Sequence, residues 1–270
     1  MKLLPLHTLL AVSLVFASTL RAQDKAATTA TPAAAATPAA TPFPLPVQQP
    51  DVGAIKFDPK TGKENTGFLA AHARYVAIAK EGKAQLLFLG DSITAGWATK
   101  GKEVWDKSFT QWEPANFGIG GDRTQHVLWR IENGELEGIK PKAAVLMIGT
   151  NNVRTDSAEG IAKGVTKIVQ TIRTKTPDTK ILLLAVFPRG ENAGTPAKPN
   201  ADREKLGQVN KIIAKLADDK HVFFLDIGAK FLQSDGSITK DIMGDALHPT
   251  AAGYQIWADA ITPKVTELMK

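Results

Sequence analysis

Five short apolar runs punctuate the chain at residues 85–89, 115–117, 143–148, 180–186 and 222–225. They do not alternate polar with apolar residues, so neither face of such a strand is made for water, as in strands buried on both sides of a parallel sheet. Between them lie apolar stripes at helical spacing. Phe68, His72, Tyr75, Val76 and Ala79 form one; Ile161, Val165, Ile168 and Ile172 form a second, entered through Asp156 with Glu159 three residues on as a capping pair. A third stripe is Leu206, Val209, Ile212, Ile213 and Leu216, and a fourth runs from Ala251 through Tyr254, Trp257 and Ile261. Strand alternating with helix predicts an α/β fold: a five-stranded parallel sheet covered on both faces, in three αβα layers. In such folds ligands sit beyond the carboxyl ends of the strands, so the loops after these runs are where chemistry is expected.

The chain ahead of this pattern has a different character. Lys2, an apolar run from Leu9 to Leu20 broken only by Ser and Thr, and small residues up to Ala22 have the layout of a secretory signal peptide over residues 1–22. The run is shorter than the roughly 20 residues of a membrane span. From Ala26 to Pro46 the composition collapses to Ala, Thr and Pro, which predicts an extended linker over residues 23–46. The rival reading, a structured arm packed on the domain, has room only from about Pro46 onward, and residues 47–270 are expected to form the folded domain. Export to the periplasm or the exterior follows, with no integral membrane segment in the mature chain. Thirty-three basic against 27 acidic residues give +6, and with Lys2 and Arg21 in the leader 31 face 27, or +4. That excess implies no nucleic-acid partner. The chain has no cysteine, which excludes a disulfide framework, a thiolate nucleophile and a Cys-ligated metal site. No histidine pair has metal-ligand spacing, so no metal is expected.

Four loops carry the candidate chemistry. The first strand ends in Gly90-Asp91-Ser92-Ile93, where a serine at a tight strand-to-helix turn can face a cleft or, with Asp91, simply cap the helix. It is not a G-x-S-x-G elbow, because Thr94 stands where the second glycine would be. The second strand ends in Gly118-Ile119-Gly120-Gly121-Asp122-Arg123, whose glycines expose backbone N–H groups suited to an anion. A dinucleotide fingerprint fails there because Arg123 replaces the required glycine. The third ends in Gly149-Thr150-Asn151-Asn152, where an amide can cap the turn or donate to a developing oxyanion. Finally, Asp245-Ala246-Leu247-His248 puts a carboxylate three residues ahead of an imidazole just before the last helix. Each segment alone reads as structural, but a hydroxyl, a glycine N–H, an Asn amide and an Asp-x-x-His at one sheet edge make up the parts list for acyl transfer.

These four segments together resemble the SGNH, or GDSL-type, hydrolases. The resemblance implies a flavodoxin-like fold, with Ser92 as nucleophile, His248 as base and Asp245 as the acid that orients it. It also implies an oxyanion hole of the Ser92 N–H, Gly121 and Asn151. The segments 116–131, 133–137, 139–142, 188–191 and 234–236 are similar to the catalytic subunits of intracellular platelet-activating-factor acetylhydrolases. The activity implied is hydrolysis of a short-acyl ester without a cofactor, on a small ester or acetylated glycan. Alternatives are a phospholipid or lysophospholipid acyl hydrolase and, from another class, a non-catalytic carbohydrate-binding protein. The relatives of that branch form dimers, so a homodimer is conceivable here. Trp97 and Arg189 are candidate substrate contacts, with a core position for Trp97 and a local ion pair to Glu191 for Arg189 as the rival readings.

Overall fold

The computed structural model describes residues 44–190 and 200–270. The predicted leader and most of the predicted linker lie outside the described residues, as does most of the loop after the fourth apolar run. Within them the elements follow in the order α1 (Thr66–Glu81), β1 (Leu86–Gly90), α2 (Ser92–Ala95), α3 (Lys102–Ser108), β2 (Pro114–Gly118), α4 (Thr124–Arg130), β3 (Ala143–Met147), α5 (Ala158–Lys175), β4 (Lys180–Leu184), α6 (Ala201–Ile213), β5 (Val222–Leu225) and α7 (Ala251–Leu268). Each of the five runs is a strand, and the five pair in parallel in the order β2-β1-β3-β4-β5.

The three strands at the centre of the order are apolar almost throughout because helices cover both of their faces. Leu86, Leu87, Phe88 and Leu89 are fully buried, and so are Ala143 to Met147 on the neighbouring strand. Each Leu, Val, Phe or Met side chain among them contributes about 1.5–3 kcal/mol relative to an exposed position. β5, at the edge, is only partly buried beyond Val222. Strand order reverses direction at β1, and with right-handed crossovers this sends the helices to opposite faces. Accordingly α5 packs against α4 and α6, while α7 packs against α3.

The start of α5 corrects the expected capping pair. Ser157, not Asp156, is the N-cap, its Oγ accepting from Gly160 N at 3.0 Å. Asp156 Oδ2 instead accepts from Asn152 Nδ2 at 3.1 Å and Thr155 Oγ1 at 2.8 Å. Trp97 is likewise placed in the core. It has no exposed surface and sits among Phe88, Phe109, Tyr254 and Trp257, with ring centroids 4.6–6.2 Å apart. Of its two readings the core position is the one the structure gives, in an aromatic cluster beneath the short helix that begins at Ser92.

Residues 46–57 form an arm docked on the domain. Pro50 O accepts from Thr124 Oγ1 at 2.8 Å, Ala54 N donates to Gln125 O at 3.1 Å, and Phe57 bridges Glu64.

Candidate active site

Strand register brings three of the four loops together. Gly90 at the end of β1 is paired with Gly118 of β2 on one side and Met147 of β3 on the other. Ser92, Gly121 and Asn151 therefore lie two, three and four residues beyond one row of the sheet. Gly118 has to be glycine, since a Cβ there would lie 2.2 Å from the Ala95 backbone nitrogen. Gly121, at φ +70°, occupies the left-handed region that an L side chain rarely adopts. Its loop is tied to the next one by Asn151, whose Nδ2 donates to the Asp122 carbonyl at 2.8 Å. An amide nitrogen carries two hydrogens, so the second remains for a ligand.

The fourth loop arrives from far along the chain. Ala246, between Asp245 and His248, takes φ +61°, a strained conformation for alanine that closes the turn tightly. In that turn Asp245 Oδ1 accepts from Leu247 N at 3.1 Å and His248 N at 2.7 Å, and Oδ2 accepts from the imidazole Nδ1–H at 2.6 Å. With Nδ1 donating, Nε2 is left as acceptor, and it lies 2.8 Å from Ser92 Oγ. Burial opposes ionisation of Asp245, but the hydrogen bonds from His248 and Leu247 and the imidazole itself outweigh it. Its carboxyl is held below the ordinary carboxylate range. The pair is set against Ser92 by Tyr254, on the first turns of α7, whose hydroxyl donates to Ile93 O at 2.7 Å.

Beneath the loops runs a buried ion network absent from the sequence reading. Arg130 donates through Nε to Asp122 Oδ2 at 2.9 Å, through one terminal nitrogen to Glu135 Oε2, and through the other to Phe117 O at 3.0 Å. Lys56 of the arm completes it, donating to Gly120 O and lying 3.3 Å from Asp122 Oδ1. The partners are separated by up to 66 residues, so no local pattern announces them. Asp91 differs: it is fully buried, its Oδ1 accepts from Ile93 N at 2.9 Å, and its Oδ2 has no hydrogen-bond partner. Burial pushes its carboxyl up to about 7. Arg189 is engaged with the Asn151 loop, donating to Thr150 O at 3.1 Å and Thr150 Oγ1 at 3.3 Å. Its ion-pair neighbour is Asp202 at 3.7 Å; Glu191, the expected partner, lies outside the described residues. Among the described residues no group of three or more His, Asp or Glu could hold a metal ion, and no helix is long and apolar enough to cross a membrane.

A hydroxyl, an imidazole and a carboxylate linked in series, with amide donors on adjacent loops, can transfer an acyl group to water. Fold and site together define an ester hydrolase on a doubly wound parallel sheet. Residues 88–256 match the model of the GDSL-like lipase/acylhydrolase family, and the chain belongs to that family. It is 43% identical over 188 residues to the platelet-activating factor acetylhydrolase IB subunit alpha2 of Rattus norvegicus, covering 69% of this chain and 78% of the relative. The alpha1 subunit of Homo sapiens is 40% identical over 188 residues, with 69% and 78% covered. Among solved structures, a putative platelet activating factor from Streptococcus pneumonia superposes with a TM-score of 0.62 at 22% identity, covering 73% of this chain and 92% of that one. A carbohydrate acetylesterase from Sinorhizobium meliloti gives 0.54 at 19% identity, with 69% and 100% covered, and shares the fold.

Proposed function

We propose that this protein is an exported serine esterase that removes short acyl groups, chiefly acetyl, from carbohydrate-type hydroxyls. The observation that carries the reaction is the unbroken series from Ser92 Oγ through His248 to Asp245, at 2.8 and 2.6 Å. His248 Nε2 takes the Ser92 proton as Oγ attacks the ester carbonyl, and Asp245 stabilises the imidazolium that forms. The oxyanion is held by the N–H groups of Ser92 and Gly121 and by the free Asn151 amide hydrogen; one such donor is worth about 2.7–4 kcal/mol in the barrier. The imidazolium returns its proton to the departing alcohol, and a water deprotonated by His248 then releases the acid. This route calls on no cofactor.

Similarity to proteins named acetylhydrolases supports the acetyl group. Export is supported by the layout of residues 1–22, and an exported enzyme works where polysaccharides are found. The second reading, an acetylated phospholipid, is supported by that same 43% identity. A purely binding role has no use for the Ser92–His248 contact. The test is turnover of acetate and longer-acyl p-nitrophenyl esters by the wild type and Ser92→Ala, followed by acetylated oligosaccharides against acetylated glycerophospholipids. Acetate turnover that vanishes in folded Ser92→Ala is the expected result; equal turnover in that variant removes the serine from the mechanism.

A further inference from the structure

Beside the Gly121 loop lies a cleft of about 440 Å³ whose other wall is the docked arm. Gln48 and Lys56 line it from the arm; Gly121, Arg123, His126 and Asp156 line it from the domain. The arm precedes the segment matched by the family model, which begins at residue 88. Gly121 belongs to both this cleft and the oxyanion loop, so the two are contiguous there.

The charges in the cleft are unequally occupied. Lys56 is committed to Gly120 O and Asp122. His126 is neutral: burial, reinforced by Lys56, Arg123 and Arg130, lowers it to about 3. Its Nδ1 accepts from Arg123 N at 3.1 Å, which leaves the Nε2 proton for Gln48 Oε1 at 3.1 Å. Asp156 is held by Asn152 and Thr155. Arg123 has neither an ion pair nor a side-chain hydrogen bond to any described residue, yet it is only partly exposed. In a partly exposed arginine, a guanidinium with no partner among the described residues has the planar fork of donors that matches a carboxylate or phosphate.

We infer that this cleft binds the alcohol half of the ester and that Arg123 selects esters carrying a carboxylate or phosphate there. The inference rests on the serine-esterase reading and narrows its substrate class to acetyl esters of anionic alcohols. The experiment compares kcat/KM for three aryl acetates: para-acetoxybenzoate, its neutral methyl ester, and para-acetoxyphenyl phosphate. Each anionic-to-neutral ratio in Arg123→Ala, Arg123→Lys and Arg123→Glu is divided by the wild-type ratio, which cancels the leaving groups' intrinsic reactivity. Loss of a partly desolvated charge-assisted contact is expected to lower the ratio about tenfold in Arg123→Ala. The ratio falls further in Arg123→Glu and is largely retained in Arg123→Lys, and added salt narrows the wild-type difference. A fall for one anion alone identifies it as the carboxylate or the phosphate. Ratios that stay at the wild-type value for both anions overturn the inference. Failure of the esterase reading itself looks different: wild type and Ser92→Ala then turn over all three esters alike.

Discussion

Two carboxylate–cation systems support the loops of the site, and they are built for opposite ends. Asp122, Arg130 and Glu135 are sealed from solvent, with 0% side-chain exposure, and their cation is a guanidinium that keeps its proton. Asp245 and His248 are 48% and 33% exposed, and their cation exists only when the imidazole is protonated. The buried system is saturated with hydrogen bonds on every side, down to the Phe117 carbonyl at the end of β2. The other leaves Nε2 facing a hydroxyl. Burial with a permanent charge makes a rigid floor for the oxyanion loops, while partial exposure with a titratable group makes a site that can exchange protons with substrate and water.

The contrast predicts that damage to the two systems falls on different observables. Asp245→Asn should lower kcat about ten-thousand-fold, because the amide no longer fixes the imidazole tautomer or stabilises its cation. Its thermal stability should change little, since an Asn oxygen can still accept from Leu247 and His248. Turnover and a melting curve of the same preparation check both halves, and an active but strongly destabilised variant would break the contrast. Arg130→Met should do the reverse, costing about 3–5 kcal/mol in denaturant unfolding by leaving Asp122 and Glu135 buried without their cation. If that variant unfolds like the wild type, the network is not the floor of the site.

Asp91 sharpens the comparison, for it shares the burial of Asp122 without a cation in contact. Its folded-state value of about 7 lies above that of an unfolded carboxyl. Between those values the native state binds more protons than the unfolded chain, so stability is fullest at low pH and declines as pH rises through this window. From pH 5 to pH 7 the loss should be about 2 kcal/mol. Asp91→Asn keeps an oxygen for Ile93 N and should flatten that slope, which unfolding measured across the same pH range would show.

The same physics explains what could be read from the sequence. The strands were legible because burial on two faces demands an unbroken apolar run, as at Leu86–Leu89. Their ends, and thus the loops carrying Ser92, Gly121 and Asn151, followed from that pattern. Trp97, five residues from the nucleophile, has two readings, of which the core is the commoner for an indole, and only its neighbours settle the matter. Asp156 and Ser157 suit the cap of α5 on similar terms by sequence, and Ser157 holds it because Asp156 is drawn off by Asn152.

What the sequence determined by itself was whatever obeys a short period or a fixed local offset: strand, helix, and the three-residue reach from Asp245 to His248. The tertiary structure alone decided the 156-residue closure between Ser92 and His248, the partners of Arg130, and the placement of Lys56 against the Gly120 carbonyl. A backbone hydrogen-bond pattern repeats within a few residues and leaves its mark on composition. A charge finds its partner through the folded sheet, and until strand order and crossovers set which loops share an edge, any of several oppositely charged residues would serve.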